Sequence, residues 1–186
     1  MIDSIIEGKV WVCGDNVSAV DICPQRRWVP GKLREEHLGK WALEDVAAEF
    51  LDKEWGLKNT GCTIIVAGKG FGGGGKSIEH PVYALKGAGV RLVLADSFAR
   101  YNYRNSIDKG LPAFVCEGLR DIVRSGDPLT VDLKNGFAVN QRGQRRDLIP
   151  AAPFILELLE AGGILPYTRM RLNSVFVRHG QEDSNE

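Results

Sequence analysis

From Cys62 to Cys116 the chain alternates short apolar runs with longer mixed segments, and this alternation constrains the fold more than any other feature. Cys62-Thr63-Ile64-Ile65-Val66-Ala67, Val90-Arg91-Leu92-Val93-Leu94-Ala95 and Pro112-Ala113-Phe114-Val115-Cys116 read as buried strands. Segments around Glu79 to Gly87 and Phe98 to Lys109 read as helices, and Gly110 is placed to close the second. A short helix is expected from Leu119 to Arg124. Strand-helix-strand-helix-strand order joins parallel strands through crossovers, so the expectation is an α/β fold with a mostly parallel sheet. Gly8 to Cys13 adds a first strand, followed by a Gly14-Asp15-Asn16 turn. Residues 35–55 carry a helical pattern, with Leu38, Trp41, Leu43, Val46, Phe50 and Leu51 toward one face. Leu129 to Val139, with Lys134-Asn135-Gly136 between its arms, is a hairpin added to the sheet. Pro153 to Ala161 is an apolar helix stopped by Gly162-Gly163, and the expected division is a single domain over 1–179 and a polar tail over 180–186.

A chain of 186 residues can bury a substantial core. Its formal net charge is zero, which argues against a sequence-independent grip on nucleic acid. No apolar span approaches 18 residues, and Met1-Ile2-Asp3-Ser4 opens without a basic, apolar leader, so a cytoplasmic protein is expected. Cys13, Cys23, Cys62 and Cys116 stand singly, and His37, His80 and His179 show no ligand spacing. The cysteines read as reduced core thiols, and no metal site on this chain is expected.

The turn after the first of the alternating strands is Gly70-Phe71-Gly72-Gly73-Gly74-Gly75-Lys76-Ser77, continuing into Ile78-Glu79-His80. Glycines between strand and helix let a backbone approach a ligand and point N–H groups at an anion. By letter the stretch satisfies a Walker A string, and Asp96 stands where a second, magnesium-binding strand would end. Against nucleotide binding stand Pro81 in the opening of the next helix, the early position of that second strand, and the ease with which a glycine run fills variable positions. A purely structural glycine turn is a further reading.

Four stretches bear on the choice. They are Gly14-Asp15-Asn16-Val17-Ser18-Ala19-Val20-Asp21-Ile22-Cys23-Pro24, Ile64 to Gly72, Glu79 to Pro112 with Ser97-Phe98-Ala99-Arg100 and Arg104-Asn105 inside it, and Ile155 to Tyr167. Together they resemble the small subunit of 3-isopropylmalate dehydratase, the swivelling domain of the aconitase superfamily, over nearly the whole chain. The third stretch is the most specific. The resemblance implies a three-layer β/β/α domain and a hydro-lyase active only with a large subunit. That partner binds a 4Fe-4S cluster on three cysteines, leaving an iron open as a Lewis acid. The small subunit closes the site and brings a loop of pattern F-G-C-G-S-S-R-E-H. Its first serine removes a proton α to a carboxylate, and the second serine and the arginine bind carboxylate.

This chain departs from that pattern at the chemistry. Counted back from Ala84-Leu85, Glu79 and His80 take the family's E-H, Ile78 the arginine, Ser77 the second serine and Lys76 the first. Counted forward from Phe71, Gly75 takes the first serine, Lys76 the second and Ser77 the arginine. A lysine replaces a bidentate arginine only as a point charge. The candidate catalytic residues are therefore Ser77 and Lys76. In the preferred arrangement Lys76 supplies charge and Ser77 handles the proton, with Lys76 or Ser77 alone as base, or a relic site, as alternatives. Candidate substrate-binding residues are the Gly73, Gly74 and Gly75 backbone, Asp21, Arg26 and Arg27; the two arginines read equally as a solvated face with cation–π packing beside Trp28. Glu79 and His80 are expected to support the loop, as are Arg100, Arg104 and Asn105. The expected function is the small subunit of a heteromeric iron–sulfur hydro-lyase that interconverts a 2-hydroxy di- or tricarboxylate, such as isopropylmalate or another substituted malate, with its alkene. A regulatory subunit of the same fold and a P-loop nucleotide-binding protein are the alternatives.

Overall fold

The structure, a computed structural model, describes residues 5–51, 53–74 and 78–182. Its strands form one mixed sheet in the order β4-β3-β2-β1-β5-β6-β7. The parallel half comprises β1 (Ile5–Val12), β2 (Cys62–Ala67), β3 (Leu92–Ala95) and β4 (Ala113–Val115). The antiparallel half comprises β5 (Pro128–Asp132), β6 (Phe137–Asn140) and β7 (Arg145–Asp147), with β5 paired to β1. The expected hairpin is thus β5–β6, but it is larger than the alternation suggested: it gains a third strand and continues the same sheet.

The apolar runs of β2 and β3 are continuous because both faces of these strands are covered. Ile65 and Val93 face one core with Ile22, Leu38, Leu43, Leu57, Val82 and Leu85. Ile64, Val66, Leu92 and Leu94 face the other with Ile107, Phe114, Leu158 and Leu159. On the first side lie α1 (Ala19–Ile22), α2 (Glu35–Leu38), α3 (Gly56–Asn59) and α4 (His80–Gly87). To the second side, α5 (Arg100–Asp108) contributes Ile107 and α6 (Pro153–Glu160) contributes Leu158 and Leu159; α7 (Ile164–Glu182) follows. Gly110 closes α5 as expected: at φ 69°, it lets its own N–H reach the Ile107 carbonyl at 3.0 Å and the Leu111 N–H reach Ser106 at 2.8 Å.

The helical pattern over 35–55 is not one helix. The chain breaks into α2, two 3-10 turns (Gly39–Trp41 and Ala48–Phe50) and irregular connections, with Leu43 and Trp55 in left-handed conformation at φ 59° and 62°. Packing overrides local periodicity here. Leu38, Leu43 and Phe50 are all seated in the same core, and the backbone folds back to seat them; the Leu43 N–H bonds the Ile22 carbonyl at 2.9 Å. The expected helix at 119–124 is a single 3-10 turn, Leu119–Asp121.

Candidate active site

The glycine stretch leaves the carboxyl end of β2, where ligands of parallel sheets bind. Its incoming arm is stitched between two neighbouring turns. On one side Asn16 N–H donates to Lys69 O at 2.7 Å, Gly72 N–H to Val17 O at 2.7 Å and Ala19 N–H to Gly73 O at 2.7 Å. On the other, Phe71 N–H donates to Ser97 O at 3.0 Å, Ala99 N–H to Phe71 O at 2.9 Å and Gly70 N–H to Ser97 Oγ at 2.9 Å. Phe71 is buried and meets Phe98 edge-on, with ring centroids 6.2 Å apart. Arg120 ties the turns beneath, with Nη2 2.6 Å from Asp15 Oδ1 and 3.3 Å from Asp96 Oδ2, while Asp15 also accepts the Lys69 N–H.

The outgoing arm is pinned from α5. Asn105 Nδ2 donates to the Ile78 carbonyl at 2.8 Å, and Lys109 Nζ lies 2.9 Å from Glu79 Oε1. This pairing holds the Lys109 ammonium above its ordinary range. His80 opens α4, and Pro81 sits in the first turn, where its missing N–H costs no helix bond. Gly75, Lys76 and Ser77 lie between the two pinned arms and outside the described residues.

Asp21 lies beside the incoming arm and acts within its own turn. It forms a capping box with Ser18, whose N–H donates to Asp21 Oδ2 at 2.8 Å while Ser18 Oγ accepts the Asp21 N–H at 3.2 Å. That box orients the Ala19 N–H that holds Gly73.

Arg26 and Arg27 are engaged by carboxylates of the same chain. Arg26 makes two 2.6 Å bonds to Asp45 and lies 2.8 Å from Glu44. Arg27 makes a bidentate contact to Glu44 at 2.9 and 3.0 Å and lies over the Trp41 ring at 3.6 Å. The cation–π contact expected beside Trp28 is therefore made with Trp41. Trp28 instead donates its indole N–H to Cys23 O at 3.2 Å and stacks on His80, with centroids 4.1 Å apart and planes 18° apart. His80 Nδ1 is buried without a hydrogen-bond partner among the described residues. Burial lowers the His80 pKa, and the nearby Glu79 carboxylate opposes the shift. Beside this stack lies a cavity of about 310 Å³ lined by Trp28, Val29, Pro30, Gly31, Leu33 and His80.

The structure thus brings together Gly73, Gly74, the Asp21 turn, Glu79 and His80, and commits the Arg26 and Arg27 guanidiniums to Glu44 and Asp45. Neither the Trp28–His80 stack nor the Glu44-Asp45 anchor is announced by a local motif; the available signal is an adjacent acidic pair 17 to 19 residues downstream of the two arginines. No group of three or more His, Cys, Asp or Glu that could hold a metal occurs among the described residues. The cysteines are buried and separate. Burial pushes Cys13, Cys23 and Cys116 up to about 12, and the Cys62 thiol donates to Val10 O at 3.1 Å, so these groups do not fit an iron–sulfur cluster.

Comparison with known proteins agrees with this geometry. Residues 33–115 match the model of the aconitase C-terminal domain. The isopropylmalate/citramalate isomerase small subunit of Methanocaldococcus jannaschii is 39% identical over 175 residues, 91% of this chain and 96% of the relative. The 3-isopropylmalate dehydratase small subunit of Pyrobaculum calidifontis is 41% identical over 168 residues, 90% of this chain and 99% of the relative. A solved structure of 3-isopropylmalate dehydratase from Methanocaldococcus jannaschii superimposes with a TM-score of 0.80 at 27% identity, covering 94% of this chain and 99% of the other. With its glycine loop held at the carboxyl end of a parallel half-sheet, this chain belongs to the family of 3-isopropylmalate dehydratase small subunits.

Proposed function

We propose that this hydro-lyase small subunit acts on a malate-type 2-hydroxy diacid bearing an apolar substituent, together with a large subunit that carries the family's 4Fe-4S cluster. The observation that carries the substrate class is the cavity beside His80, lined by Trp28, Val29, Pro30 and Leu33, at the exit of the glycine loop. Such a wall suits an aliphatic group better than a third carboxylate, which would be desolvated there without a counter-charge. The Gly73, Gly74 and Gly75 backbone approaches the carboxylates. Lys76 supplies the positive charge that the departed arginine would have given, and Ser77 handles the proton α to a carboxylate. Proton removal there builds charge on a carboxylate, and fixed N–H groups and a cation placed beforehand lower its energy. Asp21 holds the turn that holds Gly73. Arg26 and Arg27, tied to Glu44 and Asp45, anchor the turn that leads into the wall. Among the described residues no helix is long and apolar enough to cross a membrane, and we place the enzyme in the cytoplasm.

The test is hydration and dehydration by the chain mixed with its large subunit, using malates with and without an alkyl substituent. Lys76→Ala and Ser77→Ala are each expected to lower kcat by roughly 10²- to 10⁴-fold, the range of a lost acid–base or charge-stabilising group. Turnover that survives both substitutions refutes the assignment. Equal kcat/KM for malate and its alkyl derivatives refutes the substrate class.

A further inference from the structure

The segment after α1 has little local structure to hold it. The Gln25–Arg27 turn has no side-chain cap and buries none of its own residues. Its order comes from tertiary contacts that converge on one carboxylate. Glu44 is 1% exposed, and it receives Arg27 through two hydrogen bonds and Arg26 through an ion pair at 2.8 Å. A carboxylate so buried is strongly destabilising unless paired, so these contacts are obligatory rather than incidental. Around them, Trp41 covers the Arg27 guanidinium at 3.6 Å, His37 Nε2 lies 3.2 Å from the Arg27 carbonyl, and Asp45 takes the remaining side of Arg26. The turn is thereby fixed in position and orientation.

The next residue is Trp28. Its indole N–H bond to Cys23 O and its stack on His80 both depend on where the turn ends. His80 in turn follows Ile78 and Glu79, the pinned outgoing arm of the glycine loop. Glu44 is therefore connected to the exit of the loop through one arginine-held turn and one ring stack.

We propose that Glu44 is a positioning residue for this site: its buried carboxylate clamps the Gln25–Arg27 turn, which seats Trp28 on the face of His80 and holds the wall of the neighbouring cavity. The inference rests on the substrate reading above for its kinetic part and is independent of it for its structural part. Without the clamp, the two arginines lose the carboxylate between them, and Trp28 no longer shields His80. The cavity wall then becomes mobile, and a substrate substituent seated there loses its fixed position.

The experiment has two readouts. In the full chain, the His80 imidazole is titrated by NMR; Glu44→Gln is expected to move its pKa upward, toward the ordinary histidine value, because the ring becomes hydrated. In the assembled enzyme, the same substitution is expected to raise KM for an alkyl-substituted malate by roughly 10- to 100-fold, the penalty of a misplaced contact, with a smaller fall in kcat. Trp28→Ala leaves the ion pairs in place and is expected to reproduce both changes. Trp28→Phe restores a ring face and is expected to return both toward the starting values. Should Glu44→Gln fail to fold, the two Trp28 variants decide. An unchanged His80 titration and KM in Trp28→Ala, or in a folded Glu44→Gln, overturns the proposal. Absence of hydratase activity in the unsubstituted assembly refutes the functional reading, and the His80 titration still tests the clamp.

Discussion

Replacing Gly72 by alanine should unsettle both the fold and the loop that follows. Gly72 sits at φ +78°, and a Cβ there would lie 2.5 Å from Asn102 Nδ2 and closer still to its Cγ and Cβ. Asn102 is buried on α5, so its side chain cannot give way to a new Cβ without repacking its surroundings. The left-handed backbone costs an alanine about 1–2 kcal/mol. Overpacking against a buried side chain adds about 1–3 kcal/mol. Lower chain entropy in the unfolded state returns about 0.4–1 kcal/mol. The net loss is about 2–4 kcal/mol, which in a domain of this size lowers Tm by roughly 5–15 °C. Thermal melts followed by circular dichroism measure it. Gly14→Ala is the control, since nothing lies within 4 Å of its Cβ position and its φ is not positive, and it should melt within about 2 °C of the unsubstituted chain. The Gly72 N–H also bonds Val17 O, so the shift propagates to Gly73 and should lower turnover at temperatures where the variant is still folded. A Gly72→Ala chain that melts and turns over like its control refutes the reasoning.

The remaining predictions concern titrating groups. Burial holds the His80 imidazole below its ordinary value of about 6.5, so the folded chain takes up that proton less readily than the unfolded one. Its contribution to stability is fully present above that unfolded value and is lost as pH falls from there through the lowered folded value. Urea midpoints measured from pH 7.5 downward should decline through that window and decline less in His80→Gln; equal slopes would refute the assignment. Cys13, Cys23 and Cys116, pushed up to about 12, and the buried Cys62 should resist iodoacetamide at pH 8 in the folded chain and react on unfolding, as read by intact mass. Rapid alkylation of the folded chain would show that these thiols are open to solvent.

Much of the parallel half-sheet was legible because its signals are local. A strand covered on both faces needs an uninterrupted apolar run, and a crossover helix needs a glycine to stop it, so Ile64 to Ala67, Leu92 to Ala95 and Gly110 announce their roles within a few residues. The segment 35–55 was not legible for the opposite reason. Its apolar spacing fits one helical face, but Leu38, Leu43 and Phe50 serve a core whose other half comes from β2, β3 and α4. Where local periodicity and long-range packing compete, packing decides, and the left-handed Leu43 and Trp55 record the outcome.

The site divides along the same line, with a consequence for how its departures from the family pattern are weighed. Gly70 to Gly74 and Glu79-His80 stand out within one short string, whereas the contacts that orient them come from Asn105, Lys109, Ala19, Ser97 and Trp28, each remote in sequence. A string comparison registers the lost arginine as damage at the chemistry. On both sides of that position the loop is held: the incoming arm is hydrogen-bonded to two turns, the outgoing arm is pinned by α5, and Asp21 closes its capping box. The left-handed Gly72 packed against Asn102 and the Ile78 carbonyl bonded to Asn105 fix where the loop's two ends lie. Lys76→Ala and Ser77→Ala decide between altered chemistry on this mount and a site without turnover, because a site without turnover leaves nothing for either substitution to remove.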